Sequence, residues 1–169
     1  MATGRNNQTI KQVGEYLVAS ELARRRFLVA TFSGNVPDFD MIATDSKGKS
    51  TPIQVKTSRN GSWQFTINKF ADISFSEKKQ IIGKKIENEI KDLICVFVVA
   101  KETYGNDRFY IVNWSEAQDI IINHHQYWLD IHGGERPKKF DSMHCAISEK
   151  DLEDFKDNWE LILNKHINN

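Results

Sequence analysis

Apolar residues recur at helical spacing near the start of the chain. Several of them stand three, four or seven positions apart, which places them on one face of a helix. This pattern predicts a helix over residues 9–26. The positions that form the apolar face are Ile10, Val13, Leu17, Val18 and Leu22.

Short apolar runs separated by turn residues follow this helix, and they predict strands. The first strand is predicted over 28–32, with a turn over 33–37. Residues 40–45 and 53–57 form a predicted hairpin across a short polar turn. Pro52 stands just before the second strand of this hairpin, where a missing N–H is tolerated.

Further strands are predicted over 63–67, 93–100 and 108–112. The run at 93–100 is apolar throughout, which is typical of a strand buried on both faces. Isoleucines recur four positions apart within 76–91, and this spacing predicts a helix there despite Gly83.

Two capping-box patterns predict helices in the last third of the chain. One begins at Ser115 and the other at Ser148, with Asp151 in place of the usual Glu. The segment between them, over 127–144, is predicted to be a loop because it contains Gly133-Gly134 and Pro137.

The predicted order of elements indicates an α/β fold in which helices pack on the faces of a sheet. The connection between the strands at 53–57 and 93–100 is long enough to join parallel strands. We expect a core over 1–113 and a C-terminal helical extension over 114–169, packed together as a single structural domain.

The composition is that of an ordinary globular protein. The 169 residues are 40% hydrophobic and 27% charged, and no stretch approaches the length of a membrane helix. Only two cysteines are present and the first residues lack the apolar core of a signal peptide, so we expect a cytoplasmic protein. The net charge is zero, which argues against a coat that binds DNA by charge alone.

The predicted hairpin at 40–57 gathers polar side chains that suit a metal site. Because side chains alternate along a strand, Gln54 and Lys56 face one side and their apolar neighbours face the other. Asp40 starts the neighbouring strand, and its carboxylate, the Gln54 amide oxygen and the Val55 carbonyl are oxygen ligands of the kind that Mg²⁺ prefers. Asp38 is a rival to Asp40, although its neighbour Pro37 favours a capping role in the turn.

These groups have the chemistry that phosphodiester hydrolysis requires. A metal ion lowers the pKa of a water and neutralises charge on phosphorus, and Lys56 can steady the attacking water or the growing phosphate charge. A carboxylate from the first helix would complete the site, and Glu15 and Glu21 are both candidates. The alternative is a purely structural one, in which Gln54 and Lys56 form the solvent face of an edge strand.

The order Glu15, Asp40, Gln54, Lys56 resembles the PD-(D/E)xK nuclease superfamily. The resemblance covers about the first 113 residues, and the pattern is similar to that of archaeal Holliday-junction resolvases and restriction-type endonucleases. It implies a restriction endonuclease-like core with a central mixed β-sheet, activity with Mg²⁺ or Mn²⁺, and Glu15 as the helix acid. Gln54 departs from the usual Glu or Asp, although the Mrr-like restriction branch has a similar Gln.

Several basic residues are candidates for phosphate contacts: Arg24, Arg25, Lys78 and Lys79. The alternative is an ordinary solvated surface. The partner implied is DNA, and nothing in the sequence separates DNA from RNA. A homodimer would suit the cutting of both strands, although no residue demonstrates one.

The C-terminal third is rich in histidine. His124, His125, His132 and His144, with Cys145, raise the question of zinc, but no CxxC or HxxxH pair is present. We expect His132 and His144 to organise the C-terminal loop or to line a substrate groove. This part of the chain is also similar to uncharacterised bacterial proteins that share the nuclease-like core.

The sequence therefore predicts a metal-dependent DNA endonuclease with a role in restriction, defence or repair. The alternative is a nuclease-like module that binds nucleic acid or protein without catalysis. Gln54 favours that alternative, because it removes one negative charge from the metal site.

Overall fold

The computed structural model describes residues 4–32 and 38–164, and side chains from residue 8 onward. The described residues form three α-helices and nine strands: α1 Gly4–Arg24, β1 Leu28–Thr31, β2 Met41–Thr44, β3 Ser50–Ser58, β4 Ser62–Thr66, β5 Ala71–Ser76, β6 Lys79–Lys85, β7 Ile94–Val99, β8 Arg108–Asn113, α2 Trp114–Ile131, β9 His144–Ser148 and α3 Glu160–Asn164. The turn predicted over 33–37 lies outside the described residues.

The chain divides into two compact units. The first contains 1–61, 90–114 and 152–169, and the second contains 62–89 and 115–151. The boundary predicted near residue 113, between a core and a C-terminal extension, stays a prediction.

The first unit is built on a five-stranded mixed sheet with the order β1-β2-β3-β7-β8. Only β3 and β7 run parallel, and the other neighbours are antiparallel. The hairpin of β2 and β3 pairs Met41 with Ile53. The predicted mixed α/β sheet is confirmed.

The sheet is buried against α1 on the face that carries Ile53 and Val55. Both residues join a core cluster with Val18 and Leu22 of α1 and with β7 residues such as Val96. Because side chains alternate, Gln54 and Lys56 lie on the opposite face of β3, as the sequence predicts. Trp159 and Ile162 at the C-terminal end of the described chain belong to the same core.

A glycine allows α1 to approach the sheet closely. A Cβ atom on Gly14 would overlap the hydroxyl oxygen of Thr57 and lie 2.8 Å from its Cβ atom. This close approach sets the distance of the helix from β3, and therefore the position of Glu15, which follows Gly14.

In the second unit, the helix predicted over 76–91 is wrong. Instead β5 and β6 form an antiparallel hairpin, and the turn between them includes Glu77 in a positive-φ conformation. Cross-strand pairing outweighed the helical spacing of the isoleucines. The buried side chain of Gln118 on α2 holds the open end of this hairpin by donating to the carbonyls of Phe70 and Ile86.

The loop predicted over 127–144 is also partly wrong. Helix α2 continues to Ile131, and β9 begins at His144 and pairs with β4. The pattern at Ser148 does form a cap, because Asp151 accepts bonds from the backbone N–H and the hydroxyl of Ser148. It opens a 3₁₀ helix over Glu149–Phe155. Across residues 4–32 and 38–164, no helix is long and apolar enough to cross a membrane.

Candidate active site

Asp40 is fixed at the start of β2 by two bonds to β3. Its backbone N–H donates to the Ile53 carbonyl at 2.8 Å, and its Oδ2 accepts from the Val55 N–H at 2.7 Å. Strand β3 continues past its pairing with the first residue of β2, so the Val55 N–H has no backbone partner on that edge. The carboxylate takes this position and is held against β3, with its side chain only 14% exposed.

Lys11 of α1 connects Asp40 with Glu15. Its Nζ lies 3.1 Å from Asp40 Oδ1 and 3.4 Å from Glu15 Oε1. Burial lowers the pKa of Lys11, but the hydrogen bond and charge of Asp40, followed by those of Glu15, outweigh it and raise the pKa above its ordinary value. Lys11 is therefore charged at neutral pH, and it marks the place where the two carboxylates converge.

The structure distinguishes the two candidate acids of the first helix. Glu15 is half-buried and shares Lys11 with Asp40. Glu21 instead pairs with Arg24 and Arg25, and its Oε2 lies 2.6 Å from Arg25 Nη1. Glu15 is thus the helix acid that lies beside Asp40.

Gln54 is oriented by the backbone of the segment before β2. Its Nε2 donates to the carbonyl of Asp38 at 3.0 Å. Asp38 itself has a positive φ of 77°. This bond fixes the orientation of the amide, and its oxygen Oε1 is the atom that could bind a cation.

Lys56 lies on the same face as Gln54 and near Cys95 of β7. In the parallel ladder, Gln54 is opposite Cys95 and Lys56 is opposite Phe97. Burial raises the pKa of the Cys95 thiol to about 12, while the charge of Lys56 lowers it and that of Asp40 raises it. Cys95 is therefore buried and neutral beside these two charges.

Comparison with solved structures identifies the fold. A bacterial homing endonuclease, I-Ssp6803I, matches with a TM-score of 0.52 and 13% identity, covering 95% of each chain. The chain has a restriction endonuclease-like fold. The restriction endonuclease-like fold that the sequence resemblance implied is therefore confirmed.

A second solved structure is also similar to the chain, with a lower score. The Holliday junction resolvase Hjc of Archaeoglobus fulgidus, an archaeal hyperthermophile, gives a TM-score of 0.41 and 11% identity over 85% of this chain and 87% of that chain. No protein-family model and no curated protein matches the sequence.

On this nuclease fold, the donor atoms around Asp40 suit a hard cation. Among the described residues, no three His, Cys, Asp or Glu side chains form a metal-binding group. Glu15 and Asp40 supply two carboxylates, and Gln54 and the Val55 carbonyl add neutral oxygens. The ammonium of Lys11 already lies within salt-bridge distance of both carboxylates, which shows that this position favours a positive charge.

The four basic residues predicted to contact phosphate have different surroundings. Arg25 is engaged with Glu21, and its guanidinium carbon lies 4.5 Å from the centre of the Trp159 ring. Arg24 bonds the hydroxyl of Tyr104 at 3.1 Å and is otherwise exposed. Lys78 and Lys79 are exposed at the turn and start of the β5–β6 hairpin rather than on a helix.

Lys11 is the residue of this site that the sequence interpretation missed. A signal was available, because Lys11 and Glu15 stand four positions apart and such pairs face each other on a helix. That spacing does not reveal the second partner, since Asp40 comes to Lys11 only through the folding of the sheet.

Proposed function

We propose that this protein is a metal-dependent nuclease that hydrolyses phosphodiester bonds in DNA. The observation that carries the proposal is the position of Asp40, which is bonded to the Val55 N–H between Gln54 and Lys56 and linked through Lys11 to Glu15. The restriction endonuclease-like fold supports it, as does the likeness to a homing endonuclease.

In this proposal, Glu15, Asp40, the Gln54 amide oxygen and the Val55 carbonyl hold Mg²⁺ or Mn²⁺. A divalent cation bound there supplies a water of lowered pKa and neutralises charge on the phosphate. Gln54 contributes no charge, so the site binds the cation less tightly than one with a third acid.

The lysines have separate roles. Lys56 lies on the face of Gln54, where its ammonium orients the attacking water or stabilises charge on the scissile phosphate. Lys11 neutralises Glu15 and Asp40 when no other cation is bound, so it competes with the metal for the same two carboxylates.

The substrate proposed is DNA, and a homodimer would supply two symmetric sites for the two strands. Lys78 and Lys79 are exposed and are the better candidates for phosphate contacts, since Arg25 is held by Glu21 and Trp159. Arg24 is exposed but also contacts Glu21 and Tyr104. The cysteines Cys95 and Cys145 are free and buried, which agrees with a reducing cytoplasm.

The test is a cleavage assay on single-stranded, duplex and branched DNA, and on RNA, with Mg²⁺, Mn²⁺ or chelator. We expect cutting of DNA that requires a divalent cation and falls at least about 100-fold in Asp40→Asn. Asp38→Asn is the matched control, because the Asp38 side chain is exposed and only its backbone carbonyl contacts Gln54. Cutting that persists in chelator, or equal loss in both variants, would overturn the proposal.

A second candidate function is a nuclease-like module that binds nucleic acid without cutting it. The absence of a third acid, His or Cys beside Glu15 and Asp40 among the described residues favours it. This candidate predicts salt-dependent DNA binding that survives Lys56→Met, with no cleavage under any metal condition.

A further inference from the structure

The second compact unit contains a small cavity with a cationic lining. The cavity has a volume of about 160 Å³ and lies between the C-terminal half of α2 and the start of β9. No carboxylate is among the described residues that line it. The polar and aromatic groups of its lining come from His124, His125, Trp128, Arg136, His144 and Cys145.

Arg136 is the permanent charge of this cavity. It is half-buried, and its guanidinium carbon lies 4.6 Å from the centre of the Trp128 ring. Burial lowers its pKa, although the group remains charged at neutral pH. Within the described ranges no Asp or Glu pairs with Arg136, yet a charge that loses water normally has a partner of opposite sign.

Cys145 is not that partner. Burial raises the pKa of its thiol to about 11, and the nearby charge of Arg136 lowers it only in part. The thiol is therefore neutral at physiological pH, and none of the described residues that line the cavity supplies an anion.

Two of the histidines have defined hydrogen-bond roles. His124 Nδ1 lies 3.0 Å from Asp151 Oδ1, which leaves Nε2 for a ligand. His125 Nε2 lies 3.0 Å from Gln80 Oε1, and that oxygen is an acceptor because the Gln80 amide nitrogen donates to two backbone carbonyls. His125 Nε2 therefore carries the hydrogen.

The surroundings of His125 indicate the sign of the potential in the cavity. Burial lowers the pKa of His125 to about 4, and the charges of Arg136, His124 and His144 lower it further in that order. The permanent positive charge that acts on His125 is that of Arg136, and no carboxylate is among the charges that shift its pKa.

We propose that this cavity binds a phosphate-type oxyanion, with the Arg136 guanidinium as the main donor and the imidazoles of His124 and His144 as further donors. A guanidinium fork matches two oxygens of a phosphate, and ionised donors make the stronger hydrogen bonds. The volume is large enough for a phosphate group and part of its hydration.

The proposal is independent of the nuclease assignment, because no lining residue belongs to the site at Asp40. The phosphate group has two possible sources, a nucleic-acid backbone and free inorganic phosphate. Both present the same oxygens to Arg136, and they are separated by experiment.

The first arm titrates inorganic phosphate into the full-length protein and measures binding by calorimetry. We expect binding that weakens at least about tenfold in Arg136→Met, whose side chain keeps an apolar contact with Trp128. Lys138→Met, at an exposed cation two residues away, should bind phosphate as the parent protein does. No binding to the parent protein, or equal affinity in parent and Arg136→Met, would overturn the proposal.

The second arm measures the binding of a short DNA duplex by fluorescence anisotropy without divalent metal. Parallel weakening of duplex and phosphate binding in Arg136→Met assigns the site to a backbone phosphate. Weakening of phosphate binding alone assigns it to free phosphate. If Arg136→Met does not fold, the Tm of the parent protein in phosphate is compared with its Tm in chloride at equal ionic strength, and the lack of a rise in phosphate refutes the site.

Discussion

At the residue scale, one lysine sets the charge balance of the candidate active site. Lys11 contacts both Glu15 and Asp40, so the two acids share one positive charge across two elements of the fold. Any divalent cation that uses these carboxylates must compete with this ammonium. In the proposed site, the strength of metal binding would therefore depend on a residue that is not itself a ligand.

Replacing Lys11 with Met should tighten binding of Mn²⁺. The variant removes a positive charge that lies 3.1 Å and 3.4 Å from the two carboxylate oxygens, and we expect about a tenfold lower Kd, equivalent to about 1.4 kcal/mol. Calorimetric titration with Mn²⁺ measures this directly. Lys47→Met, at an exposed turn position, is the control. Equal affinities for the two variants would contradict the competition between Lys11 and the metal.

A buried histidine should make stability depend on pH. His125 is 1% exposed, and its folded-state pKa of about 4 lies below the ordinary value of 6.5. The unfolded chain therefore binds a proton at this residue more readily than the folded chain does. The contribution of His125 to the free energy of unfolding thus falls as the pH drops from 6.5 to 4, and it is constant above pH 6.5. We expect a loss on the order of 2 kcal/mol, since residual screening reduces the full effect of 1.36 kcal/mol per unit.

Urea unfolding at several pH values checks this expectation. The loss between pH 6.5 and 4 should be smaller in His125→Gln than in the parent protein. His132→Gln, at an exposed position, should keep the parent's dependence. The assignment to His125 fails if its variant retains the full slope.

At the scale of the elements, buried glutamines hold the β5–β6 hairpin in the second unit. Gln80 of β6 donates to the carbonyls of Phe140 and Ser142 at 2.8 Å and 2.9 Å and accepts from His125. Gln118 makes the equivalent bonds at the open end of the hairpin. A polar side chain that satisfies several buried groups is costly to remove.

Gln80→Leu should destabilise the second unit by roughly 2–4 kcal/mol, because it leaves two carbonyls and a ring N–H without partners. Hydrogen exchange of the amides in β5, β6 and the end of α2 reports the local effect. Gln64→Leu, at an exposed position of β4, provides the comparison. Similar exchange rates in the two variants would show that the Gln80 bonds do not stabilise the hairpin.

The close contact between α1 and β3 depends on the lack of a side chain at Gly14. A Cβ atom on Gly14 would overlap Thr57 Oγ1, so Gly14→Ala forces the helix away from the strand. We expect a loss of about 1–3 kcal/mol in the free energy of unfolding, although alanine is the better helix former. Urea unfolding measures it, with Ser20→Ala on the exposed side of α1 as the control. A stabilising effect of Gly14→Ala would show that the helix packs less closely.

The elements that the sequence predicted correctly are those whose signal is local. The hairpin of β2 and β3 follows from its turn residues and alternation, and the buried strand β7 follows from its apolar run. The β5–β6 hairpin was missed because Ile82, Ile86 and Ile90 imitate a helical face. Its pairing depends on contacts with α2 and the loop after it, which no short window of sequence contains.

At the scale of the whole molecule, the site combines predictable and unpredictable parts. The common face of Gln54 and Lys56 follows from strand alternation alone. The choice of Glu15 over Glu21 required the packing of α1 on β3, since both acids fit the same helical wheel. The link through Lys11 and the carbonyl of Asp38 that orients Gln54 depend on segments brought together only by the sheet.

We propose that Glu15, Asp40, Gln54 and Lys56 form one hydrolytic site. The most direct measurement is the single-turnover rate of duplex DNA cleavage with Mn²⁺ for Glu15→Gln, Lys56→Met and the matched helix variant Glu21→Gln. We expect rates at least about 100-fold lower for the first two and a rate near that of the parent protein for Glu21→Gln. Equal rates for Glu15→Gln and Glu21→Gln, or full activity in Lys56→Met, would contradict it.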